Sequence, residues 1–284
     1  MVMIYQYADI TGSLNIRKKE NPMRKVFFFD IDGTIYRNTL GITEKTIQAF
    51  EMLRKNGDYV VLATGRTAPA IEPEFPFLPY DGFIAGNGTH VRFGGKDILN
   101  VVMEPVLVER IVQCLREDHR EFVLEGDREL YSDITGNNNK ILDYGFYKSL
   151  LGNGLKPVDV ENRRVNKLSV QLGERPFNPN KYQEIITRVK VILHGEVAEI
   201  GSRSHSKATG AALLLHHLGI IPENCWAFRD SRNDMELLRY VGHSVAMGDA
   251  CEEVKKCVSY VTGTVEEEGV YCFLAQSDIW NREC

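Results

Sequence analysis

Apolar runs and helix-like spacings alternate in the first part of the chain after residue 22. Residues 26–29 form a continuous apolar run, which is typical of a strand buried on both faces. Residues 59–63 and 83–85 are two further apolar runs. Between the first two runs, Thr43 provides a helix N-cap, apolar residues share one side, and Gly57 ends the helix. Strand, helix and strand in this order predict βαβ units and a parallel sheet.

A different pattern occupies residues 87–200 and predicts an inserted α+β unit. This stretch, roughly 115 residues long, is too long for a plain crossover connection. We expect the strand at 167–172 to have one solvated face, because its apolar and polar residues alternate. The other predicted elements are a hairpin at 91–102 around Gly94 and Gly95, a helix at 105–117, a hairpin at 122–131, a partly helical segment at 137–151, a helix at 182–189 and a strand at 191–200.

The α/β rhythm returns after residue 200. The predicted elements are a helix at 206–218, strands at 225–228, 244–247 and 259–262, a helix that begins near residue 233, and a helix at 252–256. We therefore predict a core domain made of residues 23–86 and 201–284, with an inserted domain at 87–200. Residues 1–22 lack sustained periodicity and end in a charged cluster before Asn-Pro, so we interpret them as a flexible N-terminal extension.

The composition is that of a globular protein: 284 residues, 43% hydrophobic, 26% charged, with a net charge of −5. A mildly acidic balance gives no electrostatic footprint for nucleic acid. No apolar run approaches the roughly 18 residues that span a bilayer, so we expect no membrane partner. The six cysteines form no C-x-x-C pair and no signal-peptide pattern is present, which predicts reduced thiols and a cytoplasmic location. The pattern does not determine the oligomeric state.

The first apolar strand ends in two carboxylates, in the stretch FFFDIDGTIY at residues 27–36. One interpretation of Asp30, Asp32 and Gly33 is a β-turn, since Asp-Gly between apolar segments is a turn signal. The other is a chemical site, because open α/β sheets bind ligands at the carboxyl ends of their strands. Two carboxylates two residues apart share a face of an extended chain and repel unless a cation joins them. The pair therefore favours Mg²⁺, which prefers oxygen ligands.

Two further polar groups are suited to a phosphoryl group. Thr64, Gly65 and Arg66 follow the second strand and offer a hydroxyl, a close backbone approach and a guanidinium. The alternative for them is a helix N-cap followed by a loop arginine. Lys207 begins a helix, where a cation suits a bound anion, although most lone lysines are ordinary surface residues.

The last polar cluster follows the strand at 225–228 and contains Asp230, Asn233 and Asp234. Its alternative interpretation is a capping cluster for the next helix. The succession of all these clusters resembles the four signature motifs of the haloacid dehalogenase superfamily: DIDGT, TGR, a helix-start lysine and D-x-x-N-D. The stretches IAGNGTHV and VAMGDACEEVKKCVSYVT are similar to its Cof-type phosphatases, which have a large α/β (type IIB) cap.

The resemblance covers about residues 23–275 and implies an α/β fold, with a Rossmann-like parallel-sheet core and an inserted α+β cap domain. It also implies that Asp30 is the nucleophile, which forms an aspartyl-phosphate, and that Asp32 is the general acid and base. The implied phosphate-binding residues are Thr64, Gly65, Arg66, Lys207 and Asn233. The implied Mg²⁺ ligands are Asp30, the Asp32 carbonyl, Asp230 and Asp234.

Two positions depart from the family pattern. Arg229 precedes Asp230 where the family usually has glycine, and Ala208 replaces the glycine that is common after the motif lysine. A large cation at position 229 is expected to distort the metal ligand or to compete with Mg²⁺. The departure therefore bears on activity more than on the fold.

The leading hypothesis is a Mg²⁺-dependent phosphatase of small phosphorylated metabolites, with sugar phosphates and cofactor phosphates as candidates. A large cap closes over a small substrate and obstructs a folded protein or a duplex. A phosphomutase and a non-catalytic phospho-ligand binding protein, the latter motivated by Arg229, are the alternatives. Asn87, Arg163 and Arg203 are the candidates for contacting the leaving group, against an ordinary role as surface or hinge residues.

Overall fold

The computed structural model describes residues 24–133, 155–159, 162–173, 185, 187–231 and 235–277, with residue 194 described by its backbone. Within these residues the strands form one sheet of eight strands and one of six. The strands are β1 (Val26–Phe29), β2 (Tyr59–Ala63), β3 (Gly82–Ala85), β4 (His90–Phe93), β5 (Lys96–Asn100), β6 (Phe122–Glu125), β7 (Leu130–Tyr131), β8 (Leu155–Lys156), β9 (Lys167–Gln171), β10 (Val189–His194), β11 (Val197–Ser202), β12 (Cys225–Arg229), β13 (His243–Ala246) and β14 (Tyr260–Val261). The described α-helices are α1 (Glu44–Lys55), α2 (Pro105–Glu117), α3 (Lys207–Leu218), α4 (Met235–Tyr240), α5 (Glu252–Lys255) and α6 (Gly269–Gln276).

The eight-stranded sheet has the order β14-β13-β12-β1-β2-β3-β4-β5. The strands from β14 to β3 pair in parallel, and β4 and β5 extend the sheet as an antiparallel hairpin. All four residues of β1 are buried, as expected for a continuous apolar strand between two neighbours. The carboxyl ends of β12, β1 and β2 consequently lie side by side, where a parallel sheet binds ligands.

Helices cover both faces of this sheet. On one face, Phe29 packs against Phe50 of α1 and against Phe228 of β12, with ring centroids 4.6 and 4.8 Å apart. Helix α6 joins the same hydrophobic cluster. On the other face, α3 and α4 pack against the sheet, and Leu214 of α3 is fully buried there. The two layers of helices fix β1 at the centre of the core.

The six-stranded sheet has the order β10-β11-β9-β6-β7-β8 and lies in the chain between β5 and α3. Helix α2 covers one face, where Ile111 and Leu115 pack with Leu124, Leu168 and Ile200 in a separate hydrophobic cluster. The opposite face carries polar side chains that contact loops of the first sheet. The architecture is the predicted one, a parallel-sheet α/β core with an inserted α+β cap.

Elements with a clear local pattern have the predicted bounds. The strands at 26–29 and 59–63 and the helix at 105–117 are confirmed residue for residue. Thr43 is the N-cap of α1, and its hydroxyl accepts a hydrogen bond from the Thr46 amide at 3.2 Å. Gly57 lies just past the end of α1 with a φ of 83°, a conformation that glycine adopts without strain.

Two predictions of local structure are wrong. The single strand predicted at 191–200 is the hairpin of β10 and β11, which turns at Gly195 with a φ of 56°. Strand β9 has no solvated face, because all five of its residues are buried and its polar side chains turn toward the first sheet. Helix α6, in addition, has no counterpart among the predicted elements.

Several predictions fall outside the described residues: the N-terminal extension at 1–22, the partly helical segment at 137–151 and most of the helix at 182–189. Val189, the last residue of that predicted helix, begins β10 instead. The domain boundaries stay predictions, although the hairpin of β4 and β5, within the predicted inserted domain, pairs with the first sheet. None of the described helices is long and apolar enough to cross a membrane.

We expect Phe228→Ala to lower the free energy of unfolding by about 3–5 kcal/mol, because it removes a fully buried ring from the first core cluster. Phe77→Ala is the matched control, since the Phe77 side chain is 56% exposed. Its removal should change stability by no more than about 0.5 kcal/mol. Urea unfolding followed by circular dichroism measures both variants, and equal destabilisation would contradict this packing.

Candidate active site

The carboxyl end of β1 places Asp30 within a cluster of charges. The Asp30 amide donates to the Phe228 carbonyl of β12 at 3.2 Å, so the residue continues the sheet. Its side chain is only 8% exposed. Lys207 Nζ and Arg229 Nη1 each lie 3.2 Å from Asp30 Oδ2, and the Ile31 amide donates to Oδ1 at 2.9 Å. The carboxylate is therefore fixed in orientation and paired with two cations.

The two cations reach Asp30 from different elements. Lys207 is the first residue of α3, and Ser206 caps that helix by accepting a hydrogen bond from the Thr209 amide at 3.3 Å. Arg229 is the last residue of β12 and is fully buried. Leaving either ion buried without a charge partner would cost on the order of 3–5 kcal/mol. The pairing therefore fastens α3 and β12 to the end of β1.

The loop after Asp30 turns sharply and supports Asp230. The amides of residues 34–36 all donate to the Ile31 carbonyl. Gly33 has a φ of 78°, in the region that favours glycine. A Cβ at this position would lie 2.1 Å from Asp230 Oδ2, so the Asp230 carboxylate rests directly on the backbone of the loop. Glycine is required at position 33 both by the turn and by the approach of Asp230.

Arg66 contacts Asp32 through two parallel hydrogen bonds. Its Nε donates to Asp32 Oδ2 at 2.8 Å and its Nη2 to Oδ1 at 2.7 Å, while Nη1 donates to Glu74 Oε2 at 2.6 Å. The guanidinium is buried over the rings of Tyr36 and Phe75. Burial by itself lowers the pKa of Arg66, but the attraction of Asp32 and Glu74 outweighs it, and the net pKa is raised. Asp32 is held in one orientation while its side chain stays 55% exposed.

Thr64 and Gly65 follow β2, next to Asp30 in the sheet. Thr64 is buried, and its hydroxyl accepts a hydrogen bond from the Arg66 amide at 3.1 Å. A Cβ at Gly65 would lie 3.3 Å from Asn87 Oδ1 and 3.5 Å from Glu199 Oε1. The predicted phosphoryl-binding loop therefore lies directly beneath a carboxylate of the second sheet.

The second sheet covers this loop with a network that we call the charged roof, made of Glu125, Lys167, Ser169 and Glu199. Lys167 Nζ lies 3.3 Å from Glu125 Oε1 and 2.5 Å from Glu199 Oε1. The Ser169 hydroxyl donates to Glu125 Oε1 at 2.6 Å. Burial by itself lowers the pKa of Lys167, but the attraction of Glu125 and Glu199 outweighs it, and the net pKa is raised. The lysine therefore carries its charge while almost completely buried.

Two hydrogen bonds join the charged roof to loops of the first sheet. Thr67 Oγ1 donates to Glu125 Oε2 at 3.4 Å, and Asn87 Nδ2 donates to Glu199 Oε2 at 2.7 Å. Asn87 has a φ of 55°, in a region that asparagine adopts more readily than most residues. Between the two sheets lies a cavity whose lining includes Asn87, Lys167, Glu199 and Lys207.

Sequence reasoning does not identify Glu125, Lys167 or Glu199 as site residues. The available signal is the alternation of Lys167 and Ser169 along β9, which by itself predicts a solvated face. The charges of β6 and β11 that pair with this face lie far away in the chain. Only the packing of the second sheet against the first shows that the polar residues of β9 belong to the site.

The three candidates for contacting the leaving group, Asn87, Arg163 and Arg203, have different surroundings in the structure. Asn87 lines the cavity. Arg163 donates to the Val158 carbonyl at 2.6 Å, and Arg203 donates to the Thr187 carbonyl at 3.0 Å. Neither arginine is among the residues that line the described cavity.

The predicted metal ligands lie only partly within the described residues. Asp234 falls outside them, as does Asn233, which is a predicted phosphate-binding residue. Among the described residues, no group of three or more histidine, cysteine, aspartate or glutamate side chains is arranged to hold a metal ion. Asp30 precedes the turn at Asp32, and Asp230 rests on that turn. These groups are oxygen donors, the type that Mg²⁺ prefers.

Comparison with protein families identifies the class of the protein. The model of the haloacid dehalogenase-like hydrolases matches residues 27–274, a span that includes both sheets. The chain belongs to this family.

Three similar proteins are phosphatases by name. The 5-amino-6-(5-phospho-D-ribitylamino)uracil phosphatase YitU of Bacillus subtilis (strain 168) is 25% identical over 260 residues, which cover 87% of this chain and 95% of the relative. Phosphoglycolate phosphatase 1 of Saccharolobus solfataricus is 27% identical over 255 residues, 89% of this chain and 95% of the relative. The structure of the subclass IIB sugar phosphatase BT4131 shares the fold, with a TM-score of 0.73 and 23% identity over 88% of this chain and 98% of that one.

The predicted class is confirmed. The chain is a Cof-type phosphatase of the haloacid dehalogenase superfamily, a hydrolase of phosphate monoesters that acts on phosphorylated small molecules. Enzymes of this superfamily generally use a divalent metal for phosphoryl transfer.

We expect Gly33→Ala to lower phosphate release from an aryl phosphate by about a hundredfold, because the new Cβ displaces the Asp230 carboxylate. Gly57→Ala is the matched control, since Gly57 also has a positive φ but open space around its Cβ position. Both substitutions strain the backbone by about 1–2 kcal/mol, so the two thermal midpoints should fall by similar amounts. Equal loss of activity in the two variants would contradict the specific role of this contact.

Proposed function

We propose that this protein is a Mg²⁺-dependent phosphatase that hydrolyses small phosphorylated metabolites through an aspartyl-phosphate on Asp30. The observation that carries the proposal is the buried Asp30 carboxylate, with Lys207 3.2 Å from Oδ2 and Asp32 two residues further along a tight loop. A nucleophile, a cation and an acid–base group at the end of one strand are the components that phosphoryl transfer needs. Membership of the family supports the same reaction class.

In the first half-reaction, a carboxylate oxygen of Asp30 forms a bond to phosphorus while the bond from phosphorus to the leaving-group oxygen breaks. Asp32, in its protonated form, donates its proton to that oxygen, and the leaving group departs as an alcohol. Arg66 fixes the orientation of Asp32 through its two hydrogen bonds. In this proposal Arg66 is a positioning residue, which replaces its predicted role as a phosphate ligand.

In the second half-reaction, Asp32 takes a proton from a water molecule whose oxygen attacks phosphorus. The bond between phosphorus and the Asp30 oxygen breaks, which releases phosphate and restores both carboxyl groups. Thr64, the Gly65 amide and Lys207 hold the non-bridging oxygens of the phosphoryl group throughout. Asn233 keeps its predicted role as a phosphate-binding residue.

The oxygen donors of Asp30, Asp230 and the Asp32 carbonyl suit Mg²⁺ by their chemistry, and these groups would hold the ion. Because Gly33 has no side chain, Asp230 Oδ2 reaches the loop that carries the Asp32 carbonyl. Asp30 supplies a second carboxylate, and Asp234 is the remaining predicted ligand. When bound, Mg²⁺ neutralises charge on the transferring phosphoryl group.

Arg229 favours a second candidate function, a phospho-ligand binding protein without turnover. Its guanidinium is fully buried, and Nη1 lies 3.2 Å from Asp30 Oδ2. A cation in this position competes with Mg²⁺ for the same carboxylate. It also makes the carboxylate oxygen of Asp30 a weaker nucleophile. Arg229 and Lys207 would still attract a phosphate, so ligand binding would survive the loss of catalysis.

The geometry of the site identifies neither the substrate of the protein nor its location in the cell. The names of the two relatives do not select a substrate, because one names a ribityl phosphoester and the other phosphoglycolate. The cytoplasmic location and the absence of nucleic-acid and membrane partners stay predictions from composition. The reduced state of the cysteines also stays a prediction from the sequence.

Asp30→Asn should reduce Mg²⁺-dependent phosphate release from an aryl phosphate by at least about a thousandfold, because an amide is a poor nucleophile. Asp133→Asn makes the same chemical change at a residue that pairs with Arg116 in the inserted unit, and it should retain wild-type activity. Release is measured with and without Mg²⁺. Turnover that ignores Mg²⁺, or that persists in Asp30→Asn, would overturn the proposal.

Arg229→Met removes the charge beside Asp30 but keeps a long side chain, and we expect it to bind Mg²⁺ at least about tenfold more tightly. Titration calorimetry with magnesium chloride measures the affinity, and Arg54→Met, which removes a surface arginine paired with Asp81, is the control. Unchanged affinity would contradict the competition. An inactive wild-type protein together with an active Arg229→Met variant would favour the binding protein.

A further inference from the structure

The Arg66 guanidinium has one nitrogen that Asp32 does not use. Nε and Nη2 donate to Asp32, whereas Nη1 donates to Glu74 Oε2 at 2.6 Å and to the Ala70 carbonyl at 3.3 Å. Because a guanidinium is planar, a partner that fixes Nη1 also fixes the directions in which the other two nitrogens donate. Glu74 therefore controls the plane of the group that orients Asp32.

Tyr36 closes these contacts into a ring. The centroid of its aromatic ring lies 5.0 Å from Arg66 Cζ. Burial and the negative charge of Glu74 raise the pKa of Tyr36, so its hydroxyl keeps its proton and donates to Glu74. The Tyr36 carbonyl accepts a hydrogen bond at 3.0 Å from the amide of Gly33, the residue after Asp32. The contacts thus return from Arg66 and Glu74 to the loop that carries Asp32.

The ring is dry on the side of Arg66 and wet on the side of Asp32. The side chains of Arg66 and Glu74 are 2% and 16% exposed, and the ring of Phe75 lies 5.3 Å from Arg66 Cζ. Water therefore competes weakly for the hydrogen bond between Arg66 and Glu74. Asp32 is 55% exposed, so its carboxylate keeps one orientation only if its protein partner is rigid.

We propose that Glu74 and Tyr36 are positioning residues for the general acid: they hold the guanidinium plane of Arg66, which aims Asp32 at the leaving-group oxygen. The inference rests on the proposed function, in which the proton of Asp32 moves to that oxygen as its bond to phosphorus breaks. Glu74 acts through the nitrogen of Arg66 that Asp32 leaves unused.

Two esters with leaving groups of similar size test the inference. Benzyl phosphate releases an alkoxide, which needs a proton as it leaves, whereas 4-nitrophenolate is stable without one. Glu74→Ala should lower kcat/KM for benzyl phosphate by about tenfold or more, and for 4-nitrophenyl phosphate by about threefold or less. A merely structural role of Glu74 would lower both values alike, and equal losses would overturn the inference.

Two milder variants test the same ring with less risk to the fold. Tyr36→Phe removes the hydroxyl that donates to Glu74 but keeps the aromatic ring beside Arg66, and it should shift the ester ratio in the same direction by a smaller factor. Glu74→Gln keeps an acceptor for Arg66 Nη1, so it should recover part of the loss seen in Glu74→Ala. A Glu74→Gln variant no better than Glu74→Ala would contradict positioning through this hydrogen bond.

Glu72→Ala is the matched control, because it removes the same side chain two residues earlier in the same loop. There Glu72 is exposed and pairs with Arg92. The ratio of the two kcat/KM values should stay at its wild-type value. A shift as large as that of Glu74→Ala would overturn the inference, since any disturbance of the loop would then have the same effect.

Nuclear magnetic resonance of isotope-labelled arginine separates failure of the inference from failure of the proposed function. The Arg66 signals are those that vanish in Arg66→Lys, and Glu74→Ala should broaden them, because the guanidinium then rotates faster about its Nε–Cζ bond. Such broadening in a protein that hydrolyses neither ester would sink the proposed function and leave the ring intact. An active protein whose Arg66 signals and ester ratio ignore Glu74→Ala would sink the inference alone.

Discussion

The pairing of buried charges at Asp30 is the interaction on which the rest of the site depends. A carboxylate this deeply buried is tolerated only beside compensating cations, which here are Lys207 and Arg229. Lys207 begins α3 and Arg229 ends β12, and the chain reaches both elements only after the inserted unit. The charges therefore join the two halves of the core around the end of β1. Arg229 therefore gives Asp30 a permanent cation partner in addition to Lys207.

The same constraint operates between the two sheets. Lys167 is buried between Glu125 and Glu199, and both carboxylates also accept hydrogen bonds from loops of the first sheet. Desolvated ions stabilise a structure only when their hydrogen-bonding partners are in place. The position of the cap over the loop that follows β2 thus depends on polar groups. The same packing places the charged side chains of Lys167 and Glu199 in the cavity between the two sheets.

The local sequence pattern predicted the structure correctly wherever a residue's environment depends on its neighbours in the chain. The four apolar residues of β1 predict a strand buried on both faces, and Pro105 marks the start of α2, both as observed. The pattern also placed Asp30, Thr64 and Lys207 at the ends of strands or the start of a helix. Since the carboxyl ends of parallel strands lie side by side, the topology alone indicated that these residues would meet.

The tertiary structure decided the partner of each charge. Asp30 and Lys207 are 177 residues apart, and no local periodicity encodes their contact. Arg66 pairs with Asp32 because a buried guanidinium needs carboxylates around it, whereas its sequence motif suited a phosphate equally well. The alternation at Lys167 is the same whether the polar face of β9 meets water or another sheet. The sequence by itself determined the family of the protein and the core elements with a clear local pattern. Packing determined the partners of the charges, because electrostatic energy depends on distances between groups that are remote in the chain.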